Sequence, residues 1–103
     1  MAPDRKVPER YLEDFAVGET FRSDSLTIGS GQIKAFAADF DPQPQHLDEA
    51  AAANSFFGGL VASGWHTAAL TIKLVVLGEM RIAGGLVGSG LDDFQWFRPV
   101  RPV

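Results

Sequence analysis

Asp41 and His46 stand five positions apart on the stretch Asp41-Pro-Gln-Pro-Gln-His46, which two prolines stiffen. A stiff loop fixes the mutual geometry of a carboxylate and an imidazole at little entropic cost. Two such groups facing one site can hold a water between them. One takes a proton from that water while the other delivers a proton elsewhere. Neither is a strong nucleophile in this setting, so a covalent intermediate is not indicated. Downstream, Ser63-Gly64-Trp65 opens a long apolar segment. If that segment is a helix, Gly64 lies at its N-terminus, where free N–H groups and the positive dipole end point outward. A glycine there lets a ligand approach the backbone. A carbonyl oxygen gaining negative charge would be stabilised, and one such donor is typically worth roughly 3–4 kcal/mol.

Each of these residues also has an ordinary structural explanation. Asp41 before Pro42 suits a turn or a helix terminator. His46 suits a surface or a helix entry. Gly58, Gly59 and Gly64 suit turns and caps, and Asp48-Glu49 suits the acidic start of a helix. Lys73 suits a snorkelling side chain. His66, inside the apolar segment, reads as a hydrogen-bonded core or interface histidine, with a pocket role as the lesser alternative. On spacing alone, an enzyme and a binding module are equally well supported.

The elements that must position these residues follow from periodicity. Residues 1–10 carry two prolines and read as a flexible N-terminal arm. Val17-Gly18-Glu19 reads as a turn, and Phe21 to Ile28 as a short strand. Ile33, Phe36, Ala37 and Phe40 mark one face of a helix, with Ser30 a candidate N-cap. Pro42 ends that helix by Asp41. Asp48 to Asn54 has high helix propensity and an acidic first turn. Trp65 to about Leu77 is apolar nearly all round, which predicts a helix buried on most sides, with Gly78 as C-cap. Leu86 to Phe97 reads as one or two strands ending before Pro99. A buried helix needs a broad cover, and a curved antiparallel sheet supplies one. Two or three strands make a small sheet with an open edge. The chain therefore looks incomplete as a monomer.

Composition bounds the rest. The 103 residues, 46% hydrophobic and 21% charged, make one globular domain. With no cysteine, disulfides, thiolate nucleophiles and cysteine-ligated metals are excluded. The net charge is −4, with ten acids against five bases in residues 1–50, and no basic stripe suits nucleic acid. The charged start, Met1-Ala-Pro-Asp-Arg-Lys, precedes no apolar signal region. The longest apolar stretch, Ala68 to Leu77, is too short to span a bilayer. A soluble, cytoplasmic protein is expected.

Four stretches carry a resemblance: Tyr11-Leu-Glu-Asp-Phe-Ala-Val-Gly-Glu19, Phe36-Ala-Ala-Asp-Phe-Asp-Pro-Gln-Pro-Gln-His-Leu-Asp48, Phe57-Gly-Gly-Leu-Val-Ala-Ser-Gly-Trp-His-Thr67 and Phe97-Arg-Pro-Val-Arg-Pro102. Together they resemble the MaoC-like dehydratase family, which includes the (R)-specific, type 2 enoyl-CoA hydratases. The resemblance covers residues 11–103. It implies an α+β hot-dog fold, a long central helix wrapped by a curved antiparallel sheet, paired as a homodimer or higher homo-oligomer. It implies reversible syn hydration of a trans-2-enoyl thioester carried on CoA, with no metal and no cofactor. Asp41 matches the family's general base. His46 matches the residue that delivers the proton to the α-carbon. Gly64 matches the glycine whose N–H binds the thioester oxygen. Ser63, Trp65 and Gln43 are expected at the substrate. Gln43 stands where the family usually has Asn, and Trp65 where it often has Met. The family continues with Gly-Asp and further strands where this chain ends, so the sheet is expected to be incomplete in one chain.

Two alternatives remain at this level. One is a hot-dog acyl-CoA thioesterase, since a shared fold does not fix function. The other is a non-catalytic acyl-CoA-binding or assembly module.

Overall fold

The computed structural model describes residues 8–103. The first seven positions of the expected N-terminal arm lie outside the described residues. Among the described residues four α-helices carry the structure: α1 (Ser30–Phe40), α2 (Pro44–Leu47), α3 (Glu49–Ala53) and α4 (Gly64–Leu77). The chain divides into two compact units. One contains residues up to Ser25 together with Thr71–Phe94, and the other contains Leu26–Leu70 together with Gln95–Val103.

In the first unit a 3-10 turn (Leu12–Asp14) follows Arg10. Arg10 makes an isolated parallel bridge with Ile82. Its guanidinium binds the Glu19 carboxylate at 2.9 and 3.0 Å and lies over the rings of Phe15 and Phe21, at 4.5 and 5.4 Å. Gly18, at φ 89°, takes the left-handed conformation that the Val17–Glu19 turn requires. Gly78 ends α4 as expected. A Cβ there would stand 2.8 Å from the Arg22 carbonyl, so only glycine fits.

The second unit holds the core. Ile28, Ile33, Ala52, Leu60 and Ala62 pack together, and Leu26, Leu70 and Val100 close over them. Ile33 and Ala37, from the apolar face of α1, are both fully buried. Phe40, placed on the same face by periodicity, is exposed because it is the last residue of the helix. The N-cap of α1 is Gly29 rather than Ser30. Its amide is satisfied by the Gln32 side chain at 2.9 Å. Asp48 caps α3, accepting from Ala50 and Ala51 at 2.8 and 3.0 Å. The C-terminal residues join this unit through Ala62 N–H to the Val100 carbonyl, 2.9 Å, and Val103 N–H to the Ile28 carbonyl, 3.0 Å.

Three expectations are corrected here. The expected strands over 21–28 and 86–97 form no ladder, and among the described residues β structure is confined to the Arg10–Ile82 bridge. A strand persists only against a neighbour that pairs residue after residue. Among the described residues the Arg22 backbone pairs with Glu79 and that of Ile28 with Val103, isolated contacts and not a ladder, and residues 86–97 stay exposed. The curved sheet of the expected α+β hot-dog fold is therefore not formed among these residues. It follows that α4 is not buried on most sides. His66 is its one buried residue, while Trp65, Ile72 and Val76 are exposed. Finally, residues 44–47 are a helical turn and not a loop. Pro44 sits at the first helical position, where its fixed φ suits a helix and its missing N–H costs nothing.

Candidate active site

Two chain reversals bring the site residues together. Asp41 terminates α1 with φ −154°, out of the helical region, as the following proline demands. The single turn of α2 then carries His46 inward to a buried position. There His46 Nδ1 meets the Val61 carbonyl oxygen at 2.6 Å. A carbonyl can only accept, so Nδ1 carries the proton and the Nε2 edge is left for chemistry. Nε2 stands 3.5 Å from Asp41 Oδ2.

Asp41 is held at both oxygens. The Ser63 hydroxyl donates to Oδ2 at 2.6 Å, and Gln43 Nε2 donates to Oδ1 at 2.7 Å. The Ser63 hydrogen bond, then that of Gln43, hold the Asp41 carboxyl below its ordinary range. They outweigh the opposite effect of burial, and the facing imidazole adds to them.

Ser63 is the N-cap of α4. Its carbonyl accepts from Thr67 N–H at 3.0 Å and its hydroxyl from Trp65 N–H at 3.2 Å. Gly64 N–H, at the first helical position, has no acceptor within the helix. The other side of Gly64 is occupied by Trp96, whose Nε1–H donates to the Gly64 carbonyl at 2.9 Å. A Cβ on Gly64 would lie 2.9 Å from the indole, so the close approach that requires glycine here is made by Trp96.

A cleft of about 420 Å³ opens at this point, with Asp41, Gln43, His46, Gly64, Trp65 and Trp96 in its walls. Of Asp41, Gln43, His46, Ser63, Gly64 and Trp65, the residues expected at the site, Ser63 alone stands behind the wall, fully buried against Asp41. Trp96 was not anticipated. No periodicity relates it to Gly64, and its position one residue before the Phe97-Arg-Pro-Val motif was the sole signal. Phe57, within the third motif, also lines the cleft. His66 is a core histidine as expected, buried and stacked on Phe36, but the expected hydrogen bonding is incomplete: among the described residues Nδ1 has no partner. Stacking consumes the ring face, and the apolar environment offers Nδ1 no acceptor or donor. Burial pushes its pKa down. Among the described residues no cluster of His, Asp and Glu could hold a metal ion. None of their helices is long and apolar enough to cross a membrane.

Comparison with known proteins identifies the class. The MaoC like domain family matches residues 14–102, and the chain belongs to that family. The MaoC-like dehydratase from Rhodospirillum rubrum superposes with a TM-score of 0.85 at 52% identity, over 90% of this chain and 63% of that one. The monoamine oxidase regulatory protein from Archaeoglobus fulgius gives a TM-score of 0.74 at 25% identity, over 89% of this chain and 63% of its own. Protein YdeM of Bacillus subtilis (strain 168), described as uncharacterized, is 33% identical over 91 residues, 88% of this chain and 64% of the relative. The chain thus spans a little under two thirds of the length of each of these proteins.

Proposed function

We propose that the cleft is the acid–base centre of a hydratase/dehydratase acting on a trans-2-enoyl thioester, carried on CoA. The carrying observation is the 3.5 Å approach of Asp41 Oδ2 and His46 Nε2 inside a cleft that Gly64 borders. At this spacing one water oxygen can lie within hydrogen-bond reach of both groups. Asp41, kept ionised by Ser63 and Gln43, takes a proton from the water as its oxygen bonds to the β-carbon. His46, fixed through Nδ1, in its protonated form delivers the Nε2 proton to the α-carbon. The C=C bond thereby gains H and OH from one side. The Gly64 N–H donates to the thioester oxygen and stabilises the charge that builds there between the two events. Run backward, the same groups eliminate water from a 3-hydroxyacyl thioester.

Membership of the MaoC like domain family supports this reading, as does the name of the Rhodospirillum rubrum relative. It carries with it the architecture proposed for the whole unit, residues 11–103 as one hot-dog domain. In that architecture α4 is wrapped by a curved antiparallel sheet, and the protein pairs as a homodimer or higher homo-oligomer. Cytoplasmic acyl-CoA metabolism is the proposed setting. The test is hydration of crotonyl-CoA, followed as loss of the enoyl thioester absorbance. Loss of absorbance without thiol release supports the proposal. Release of free CoA thiol would assign the cleft to a thioesterase, and binding without turnover to a carrier or assembly module.

A further inference from the structure

We infer that Ser63 is a positioning residue, which ties the N-cap of α4 to the Asp41 carboxylate and so fixes the orientation of that carboxylate in the cleft. The kinetic consequence rests on the hydratase reading given above. The hydrogen-bond argument does not.

A hydroxyl has one proton to give and lone pairs to receive. The Ser63 hydroxyl receives from Trp65 N–H at 3.2 Å and gives to Asp41 Oδ2 at 2.6 Å. The amide can only donate and the ionised carboxylate only accept, so the direction of the chain is settled. Each link polarises the next. Ser63 is fully buried, so no bulk solvent competes for its hydroxyl. The oxygen it holds is the one that faces His46 Nε2. Gln43 holds the other oxygen from an exposed position, which leaves Ser63 as the buried anchor. Asp41 also caps the C-terminal end of α1, where the helix dipole disfavours a negative charge. The link through Ser63 to the positive end of α4 offsets that placement. Consistent with this, Ser63 is the largest influence holding the Asp41 carboxyl below its ordinary range.

A plain helix cap would account for Ser63 without any role at Asp41, and two substitutions separate the possibilities. Glycine is nearly as good an N-cap as serine, whereas alanine is poor. Both delete the hydroxyl. If Ser63 acts through Asp41, Ser63→Gly and Ser63→Ala lower kcat for crotonyl-CoA hydration alike, by about 10- to 100-fold, with KM within about twofold. The Asp41 carboxyl, read by ¹³C NMR in the full chain, then titrates at higher pH in both variants, and Ser63→Thr restores both readouts. If Ser63 only caps α4, Ser63→Gly keeps the wild-type rate and the wild-type Asp41 titration, and the inference is overturned. Should the wild-type chain hydrate no enoyl thioester, the hydratase reading fails. The carboxyl titration then decides alone: an upward move in Ser63→Gly upholds the link, and no move refutes it.

Discussion

His46 Nε2 and Asp41 Oδ2 are separated by 3.5 Å, beyond a normal direct hydrogen bond, although each group is otherwise firmly anchored. The pair is therefore held apart by its other partners, Val61 on one side and Ser63 on the other. A direct bond between them would occupy the Nε2 edge of His46, the edge that a third molecule must reach. Both residues are therefore expected to be needed. Asp41→Asn preserves shape but removes the proposed base, and His46→Ala removes the proposed proton donor. Each is expected to lower crotonyl-CoA hydration by at least about 100-fold. Initial rates on purified variants, with circular dichroism to confirm the fold, check this. Wild-type rates in either variant would disprove the assigned roles.

Acid stability should carry the signature of Asp41. Its folded pKa lies below the ordinary 3.8, so the unfolded chain takes up the proton first as pH falls. The resulting stabilisation is complete above the unfolded value and is lost as pH drops through the folded one. Thermal unfolding midpoints measured between about pH 5 and pH 2 should fall less steeply for Asp41→Asn than for the wild type.

His66 and Phe36 stack with centroids 4.4 Å apart and 5° between the planes. The stack is satisfied while Nδ1 is not. His66→Phe keeps the ring contact and removes the stranded nitrogen, and should raise stability by about 1 kcal/mol at pH 7. The gain should widen as pH falls below the ordinary histidine value of 6.5, because burial lowers the folded pKa and the unfolded chain protonates first. It should level off below the folded value. Denaturant unfolding at pH 7 and pH 5.5 tests both statements, and a destabilised variant would contradict them.

Gly64→Ala should displace Trp96, because the added Cβ would meet the indole at 2.9 Å. The hydrogen bond from Nε1 to the Gly64 carbonyl would then be lost. A red-shifted tryptophan emission relative to the wild type is expected, and it should vanish when Trp96 is also changed to Phe. An unchanged spectrum in Gly64→Ala would show that the ring does not sit there.

The packing of α1 offers a check on the core itself. Ile33 is fully buried at the centre of the apolar cluster, and Ile33→Ala should cost about 2–5 kcal/mol. Phe40→Ala, at the exposed end of the same helical face, should cost much less. Equal losses would mean that the face is buried along its whole length.

What could be read directly from the chain was local. Periodicity marked α1 and the apolar run of α4. Pro42 marked the end of α1, acidic residues marked the start of α3, and the spacing of Asp41 and His46 singled out the pair that meets in the cleft. All of these depend on neighbours within a few positions, where covalent geometry and propensity act. The motifs also sufficed to indicate the family. Three things were decided only by tertiary structure. The hydroxyl of Ser63 turned to Asp41, Trp96 came to rest on Gly64, and the Nδ1 of His66 was left without a partner. The first two are meetings of residues distant in sequence and the third is the lack of one among the described residues, and no local preference encodes any of them. The β content was misjudged for the same reason: an alternating pattern offers a face for pairing, but a ladder exists only where a second strand arrives to complete it.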